Sequence, residues 1–204
     1  MPLMKTKSTP LGSVDTPIMP LTIALAAEAS FVARSVDTHT EHLQHTLEQA
    51  GRHRGSAFVE VLQNCNIFND GAWRSFTDRE VRDDRMLALE DGKPMIFGKD
   101  RDRGIRLTGL HPEVVQIGVD GVTEADILVH DEHSEDPYLA FMLSRMFYPE
   151  FPVPVGVFRS VERPTHDELL TAQVRSAIEL RGEGSLEKLL NSGETWTVQA
   201  DGTP

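Results

Sequence analysis

Ala57-Phe-Val-Glu-Val-Leu62 is a strongly apolar run with the length of a buried β-strand. An earlier run, Phe31-Val-Ala33, predicts a short strand within residues 30–36, and a helical pattern of apolar residues lies between the two strands. Another helix is predicted from Pro20 to about residue 29, because proline suits the first turn of a helix. The order helix, strand, helix, strand is typical of a parallel sheet covered by helices. The sequence therefore predicts an α/β fold.

The helix between the two strands carries its own boundary signals. Thr38 and Glu41 have the spacing of a capping box, and Gly51 lies where a helix commonly ends. Near the helix start, histidines recur every three residues, at His39, His42 and His45. Side chains three residues apart lie at successively different angles around a helix and do not point to one shared ligand, so we interpret these histidines as solvated surface side chains.

Residues 1–19 are rich in proline, glycine, serine and threonine, which predicts an extended loop. Residues 20–199 are predicted to form one domain, followed by a disordered tail at 200–204. Within the domain, residues 70–121 contain short apolar runs and the turn signal Glu90-Asp-Gly-Lys93, so we expect a β-rich insertion with a hairpin there. Two parallel strands are too small a sheet to stand alone. We therefore interpret the pattern as the back half of a larger sheet whose earlier strands lie upstream.

The remainder of the domain is predicted to be mainly helical. Short apolar runs at 127–129 and 153–158 predict strands. The longest helix is predicted over 165–181, where Thr165 and Glu168 form a second capping box.

Composition narrows the possible partners and compartments. The chain has 204 residues, 32 acidic and 20 basic, and a formal net charge of −12, which argues against a nucleic-acid partner. Its longest apolar stretch, residues 18–29, contains Pro20 and Glu28 and is too short to span a bilayer, so we expect no membrane partner. The single cysteine, Cys65, cannot form an intrachain disulfide, and no secretory signal is present. We therefore expect a reducing, cytoplasmic location.

Cys65 is the first candidate for chemistry. It follows the apolar strand directly, within Gln63-Asn-Cys-Asn-Ile-Phe-Asn-Asp-Gly71. The carboxyl end of a strand is where open α/β sheets place their sites. A cysteine between two asparagines in a polar loop suits a ligand or a nucleophile, whereas most lone cysteines have only a packing role.

Two further clusters are weaker candidates. His130, Asp131 and His133 follow a predicted strand and could hold zinc or iron, although a closed site needs more ligands than these. Hydrogen bonding at a turn is the alternative. A phosphate or carboxylate could be bound by Lys5, Lys7, Ser8 and Thr9, although these residues do not form a P-loop. The alternative is a flexible loop with no ligand.

Several of these stretches together resemble the β subunits of 2-oxoacid:ferredoxin oxidoreductases of the 2-oxoglutarate type. They are Lys7-Ser-Thr-Pro-Leu-Gly-Ser13, Asn64-Cys-Asn-Ile-Phe-Asn-Asp-Gly71, Leu128-Val-His-Asp131, Asp136-Pro137, Leu139-Ala-Phe-Met-Leu-Ser144, Gly156-Val-Phe-Arg159 and Val161-Glu-Arg-Pro164. The resemblance runs in order from about Met4 to Val198. It implies the C-terminal part of a thiamine-diphosphate-binding domain.

The resemblance also implies an activity. Such enzymes oxidatively decarboxylate a 2-oxoacid with coenzyme A, giving an acyl-CoA, carbon dioxide and reduced ferredoxin. Thiamine diphosphate with Mg²⁺ supports the carbanion chemistry, and a [4Fe–4S] cluster takes the electrons. Cys65 matches a cluster-ligating position, and Lys5, Lys7, Ser8 and Thr9 fall in the loop that follows the cofactor motif, where we expect a substrate or coenzyme A entrance. Implied partners are an α subunit, ferredoxin and the missing N-terminal β segment.

The sequence departs from the family pattern at two places. It contains neither a Cys-x-x-Cys segment, which supplies cluster ligands in the family, nor the Gly-Asp-Gly-Asp motif, which holds Mg²⁺ and diphosphate. We therefore expect that this chain alone is inactive and binds the cofactors incompletely. The alternatives are an inactive remnant or assembly module, and a small metal-binding protein that uses His130, Asp131 and His133.

Overall fold

The computed structural model describes Lys5 and residues 9–200 and divides the chain into two units, Met1–Arg163 and Pro164–Pro204. The helices of the first unit are α1 (Pro20–Ala26), α2 (Thr40–Arg52), α3 (Arg74–Thr77), α4 (Arg82–Arg85) and α5 (Tyr138–Arg145), with a 3₁₀ turn at Glu124–Asp126. Its strands are β1 (Phe31–Val36), β2 (Ala57–Leu62), β3 (Met86–Ala88), β4 (Ile96–Phe97), β5 (Arg103–Thr108), β6 (His111–Gln116) and β7 (Val153–Ser160). The second unit contains α6 (His166–Arg181) and α7 (Leu186–Leu190).

The predicted loop and tail fall partly outside the described residues. Residues 1–4, 6–8 and 201–204 are not among them. In the described part of the predicted loop, Lys5 and residues 9–19, the backbone forms turns and bends but no helix or strand.

A four-stranded sheet in the order β2-β1-β7-β3 forms the centre of the first unit. The predicted parallel pairing of β1 with β2 is confirmed, from Phe31 opposite Ala57 to Val36 opposite Leu62. β7, however, runs antiparallel to β1 and parallel to β3, so the sheet is mixed. The β1–β2 pattern could not predict this direction, because the chain passes through four more strands, β3 to β6, before it reaches β7. The predicted α/β fold is thus correct, with one reversed central strand.

β1 is buried at every position because helices cover both faces of the sheet. Phe31 and Ala33 pack in a cluster that includes Ala50 of α2. The side chain of Val32 lies on the opposite face of the sheet and packs in the main core with Leu21 of α1 and Leu143 of α5. The sheet therefore lies between α2 and the α1–α5 pair, as an α/β sequence pattern implies.

The central strands also bury two arginines. Arg34 of β1 is 2% exposed, and its Nε donates to Glu60 of β2 at 2.6 Å. Its guanidinium lies 5.5 Å from the ring centre of Phe158 and 5.7 Å from that of Phe147. Arg159 of β7 donates to the carbonyl of Ala29 and forms an ion pair with Glu28. Each buried guanidinium thus has a carboxylate partner, which limits the cost of burying its charge.

A second sheet lies within the range predicted as a β-rich insertion. β4, β5 and β6 form a three-stranded antiparallel sheet, and Gly109 in the β5–β6 turn has φ +64°. The hairpin predicted around Glu90-Asp-Gly-Lys93 is wrong: that segment makes a turn, but β3 before it pairs with β7 and β4 after it pairs with β5. The limits 70–121 themselves stay a prediction.

Helix boundaries divide between correct and wrong predictions. The capping box of α6 is confirmed, since the Thr165 hydroxyl accepts from the Glu168 N–H at 3.3 Å and the Glu168 carboxylate accepts from the Thr165 N–H at 3.0 Å. The capping box predicted at Thr38 is wrong, because α2 begins at Thr40, and its N-cap residue makes no side-chain cap hydrogen bond.

Two smaller predictions also differ from the structure. α2 continues through Gly51 to Arg52, so this glycine does not end the helix. The strand predicted over residues 127–129 is reduced to a single bridge between Val129 and Pro94. The helical C-terminal region is confirmed by α6 and α7, whose side chains are exposed within the second unit.

Candidate functional site

The loop that follows β2 places Cys65 at the carboxyl end of the parallel β1–β2 pair. The Asn64 N–H donates to the Asp37 carboxylate, which follows β1, at 2.9 Å. The Asn64 side chain then donates to Asp70 at 2.9 Å and accepts from the Gly71 N–H at 2.8 Å. Asn64 therefore ties both ends of the loop to the sheet edge and holds Cys65 in a defined place.

The Cys65 thiol is exposed, and backbone N–H groups of its own loop lie beside the sulfur. Hydrogen bonds from the Phe68 and Ile67 N–H groups, and then from Asn69, lower the pKa of Cys65 below its ordinary value. N–H donors stabilise the thiolate, which is the form that ligates metals and attacks electrophiles. The same donors tune the potential of a cluster when they face its ligand sulfurs. This arrangement suits a ligand or a nucleophile and not a packing role.

Two large apolar side chains beside the thiol point outward. Ile67 is 63% exposed and Phe68 is 58% exposed. An apolar rim next to an exposed thiol suits contact with another polypeptide, which would bury the rim and shield the sulfur from water.

The second predicted group, at the start of the chain, is only partly described. Lys5 is exposed, and Thr9 is half buried, with its carbonyl accepting from the Gly12 N–H at 2.9 Å. Lys7 and Ser8 lie outside the described residues. A role for these side chains at a substrate or coenzyme A entrance stays a prediction.

The histidine cluster after residue 129 is not assembled as a metal site. His130 is fully buried, and its Nε2 bonds the Val157 carbonyl at 2.7 Å. His133 is exposed, and its Nδ1 bonds the Ser160 carbonyl at 2.7 Å. Across the described part of the chain, no group of three His, Cys, Asp or Glu side chains could hold a metal. Both imidazoles anchor the turn to β7 instead, as the hydrogen-bonding alternative expected.

The solvated interpretation of the first histidine group is wrong for two of its members. His39 and His42 are half buried and stack at 5.4 Å between ring centroids, whereas His45 is exposed. His42 Nδ1 lies 2.8 Å from the Ser35 hydroxyl of β1. Burial, followed by the neighbouring histidines, lowers the pKa of His42 to about 4. Their three-residue spacing, which makes neighbours on a helix, was the available signal.

Known proteins give both sequence and structural matches to this chain. It is 39% identical over 196 residues to the 2-oxoglutarate oxidoreductase subunit KorB of Mycobacterium tuberculosis, which covers 95% of this chain and 52% of that protein. It is 36% identical over 87 residues to the β subunit of the 2-oxoacid:ferredoxin oxidoreductase 1 of Aeropyrum pernix, over 43% of this chain and 26% of the relative. No family model matches the sequence.

A solved structure shares the fold. It is a 2-oxoglutarate:ferredoxin oxidoreductase from Magnetococcus marinus with 2-oxoglutarate, coenzyme A and succinyl-CoA bound, and it matches with a TM-score of 0.57 and 21% identity over 95% of this chain and 50% of that one. The likeness fits the predicted part of a thiamine-diphosphate-type domain. The chain thus spans about half the length of the relatives that it matches throughout. Within the described residues, no helix is long and apolar enough to cross a bilayer.

Proposed function

Because the chain belongs to the β-subunit family of the 2-oxoacid:ferredoxin oxidoreductases, we propose that it works as the C-terminal part of such a subunit. The reaction is the coenzyme A-dependent oxidative decarboxylation of a 2-oxoacid to an acyl-CoA and carbon dioxide, with reduction of ferredoxin. The proposed substrate is 2-oxoglutarate, because the relative that matches nearly the whole chain is a 2-oxoglutarate oxidoreductase subunit.

The observation that carries this proposal is the geometry around Cys65. Its thiol is exposed, faces backbone N–H donors and lies beside an apolar rim at the carboxyl end of β2. We assign Cys65 as one ligand of a [4Fe–4S] cluster. The loop would favour the thiolate form of the sulfur and position it through Asn64. Ile67 and Phe68 would exclude water where the segment that brings the other ligands packs against the loop.

The cofactors fit this chain unequally. Cys65 suits one corner of a cluster, and because these 204 residues hold one cysteine, the other ligands would have to come from outside them. For thiamine diphosphate and Mg²⁺ the sequence offers no Gly-Asp-Gly-Asp motif, so we assign them no residue and no step in this chain. In the assembled enzyme the thiamine would supply carbanion chemistry and the cluster one-electron transfer.

The proposed partners follow from these gaps. A segment equivalent to the N-terminal half of the relatives would supply the missing motifs, and an α subunit would complete the enzyme. Lys5, Lys7, Ser8 and Thr9 are proposed to line the entrance for coenzyme A or the 2-oxoacid. With a net charge of −12, the chain would repel an acidic ferredoxin, so ferredoxin would dock on another subunit or on a local basic patch.

The test is anaerobic affinity purification of the chain from its native cell, followed by an assay of viologen reduction that depends on 2-oxoglutarate and coenzyme A. We expect activity, together with an α subunit and a Cys-x-x-Cys polypeptide in the eluate. Cys65→Ala should abolish both the activity and the visible absorbance of the cluster. Asn66→Ala, which changes an exposed neighbour in the same loop, should preserve both.

An inactive remnant or assembly module is the alternative, and the absence of the cofactor motif and of further cysteines favours it. Under that alternative the purified chain has no activity with any 2-oxoacid, and Cys65→Ala changes nothing. Activity with pyruvate and not with 2-oxoglutarate would show that the proposed substrate is wrong but that the proposed class of reaction is right.

A further inference from the structure

A cavity of about 230 Å³ lies between α2 and the β3–β4 region, and no residue of the Cys65 loop lines it. Its floor is apolar and includes Met86, Ile96 and Val155. Its rim is polar, with His39 and the side chains that the next paragraphs describe. An apolar floor under a polar rim is the usual form of a small-molecule site, in which the floor takes the carbon skeleton and the rim fixes the charged groups.

The fixed charge on the rim is positive. Arg82 and Arg101 both line the cavity, and Asp83 is the single carboxylate among the lining residues. Asp83 lies 3.9 Å from the Arg82 guanidinium, at the limit of an ion pair, and it is largely exposed. The neighbouring carboxylate of Asp84 is already paired with Arg103 and does not oppose the rim. Arg82 is therefore held only weakly by an exposed carboxylate, and no described carboxylate forms an ion pair with Arg101. Both guanidinium groups can contribute to binding an anion, because such groups bind carboxylates and phosphates in a paired geometry.

The two imidazoles add hydrogen-bond donors to this rim. Burial favours their neutral forms, because it lowers the pKa of both His39 and His42. His42 Nδ1 is occupied by the Ser35 hydroxyl, and no described residue bonds its Nε2. In the tautomer in which Ser35 donates to Nδ1, the Nε2–H of His42 is free for a ligand.

From this cavity, its two arginines and its two histidines, we propose a binding site for a small anionic metabolite that carries a phosphate or a carboxylate group. The site joins α2 to the segment between β2 and β7, and it does not depend on the role assigned to Cys65. Its occupant would tie that segment to the central sheet.

The test is isothermal titration of the full 204-residue chain with inorganic phosphate and, separately, with succinate, at constant ionic strength. We compare the double variant Arg82→Gln/Arg101→Gln with the control Arg79→Gln/Lys99→Gln. Both variants remove two positive charges, but Arg79 and Lys99 do not line the cavity. We expect saturable binding of at least one anion by the wild type and the control, and at least tenfold weaker binding by the cavity variant.

A measurement on the wild type keeps the proposal testable if the cavity variant does not fold. In NMR spectra, the ring-proton resonances of His39 and His42 should shift as anion is added, along a curve that gives the same dissociation constant as the calorimetric titration. The resonances of the exposed His166 should not shift. Binding of phosphate alone or of succinate alone supports the proposal and identifies the anionic group. Absence of saturable binding of both anions, equal weakening in the two double variants, or unshifted His39 and His42 resonances overturns it.

Discussion

Removal of Glu60 should destabilise the first unit far more than removal of an exposed carboxylate. The Arg34 guanidinium is 2% exposed, and its Nε–H donates to the Glu60 carboxylate at 2.6 Å. Without that carboxylate, the remaining hydrogen bond of the guanidinium is to the Pro154 carbonyl, at the long distance of 3.5 Å. A positive charge would then stay between β1 and β2 with no opposite charge beside it.

The magnitude follows from the burial of the pair. Breaking a buried ion pair by removing one partner costs ~3–5 kcal/mol. The Glu60 side chain is 16% exposed, so water can partly replace it, and we expect Glu60→Ala to cost ~3 kcal/mol, near the lower end of that range. Glu60→Gln keeps an oxygen that accepts from Nε–H and should cost about half as much.

Urea unfolding followed by circular dichroism measures these changes as differences in the free energy of unfolding. Glu48→Ala is the matched control, because Glu48 pairs with Arg52 at 3.6 Å on an exposed turn of α2. Its loss should change the free energy by less than ~1 kcal/mol. The double variant Arg34→Met/Glu60→Leu removes both charges and should recover most of the loss. The reasoning is refuted if Glu60→Ala costs no more than Glu48→Ala, or if the double variant is less stable than Glu60→Ala.

Three further predictions concern single positions. Gly156→Ala should prevent stable folding, because φ at Gly156 is +118° and an added Cβ would lie 2.8 Å from the Leu89 carbonyl oxygen. Gly109→Ala, where the added Cβ meets open space, should lower the free energy of unfolding in urea by only ~1 kcal/mol. Similar losses of stability in the two variants would contradict this prediction. The Cys65 thiol should react with iodoacetamide at lower pH than in the urea-unfolded chain, since N–H donors lower its pKa; coincident pH profiles would exclude thiolate stabilisation. In the folded chain His42 should remain neutral as the pH falls to about 4, whereas in the unfolded chain it binds a proton near its ordinary pKa of 6.5. The free energy of unfolding should therefore fall more steeply for the wild type than for His42→Gln as the pH is lowered from 6.5 to 4. Parallel curves of stability against pH would refute the lowered pKa of His42.

The local sequence pattern was sufficient to predict an element where the contacts that form the element join residues close in sequence. The run Ala57–Leu62 is a strand with the predicted limits, and Phe31 begins β1 within the predicted range. The capping box at Thr165 forms because its two hydrogen bonds join residues three apart. In such cases the signal and the structure it predicts depend on the same few residues.

Distant contacts decided the predictions that failed. The Asp-Gly signal after β3 predicts a turn, and a turn forms, but β3 pairs with a strand far along the chain instead of with β4. The six-residue strand β1 tolerates Arg34 because Glu60 of β2 and two aromatic rings from elsewhere surround it. No local pattern shows that such partners exist.

The candidate site was predictable in part for the same reason. Cys65 could be placed at the end of a strand, because strand and loop are adjacent in sequence. The environment of His42 could not be predicted, because it depends on Ser35 beneath it and on the segment after β2 that closes the cavity.

The position of β7 has a consequence for synthesis of the chain. β7 separates β1 from β3, and Phe31 pairs with Ser160, so the sheet closes only after nearly the whole first unit has left the ribosome. Pairings so distant in sequence form slowly, because loop closure must precede the contacts that stabilise it. Until then, the edge of β1 that β7 will cover presents unpaired N–H and C=O groups. Until β7 has been made, the nascent chain is therefore open to wrong strand partners, and a chaperone that shields this edge would raise the yield of folded protein.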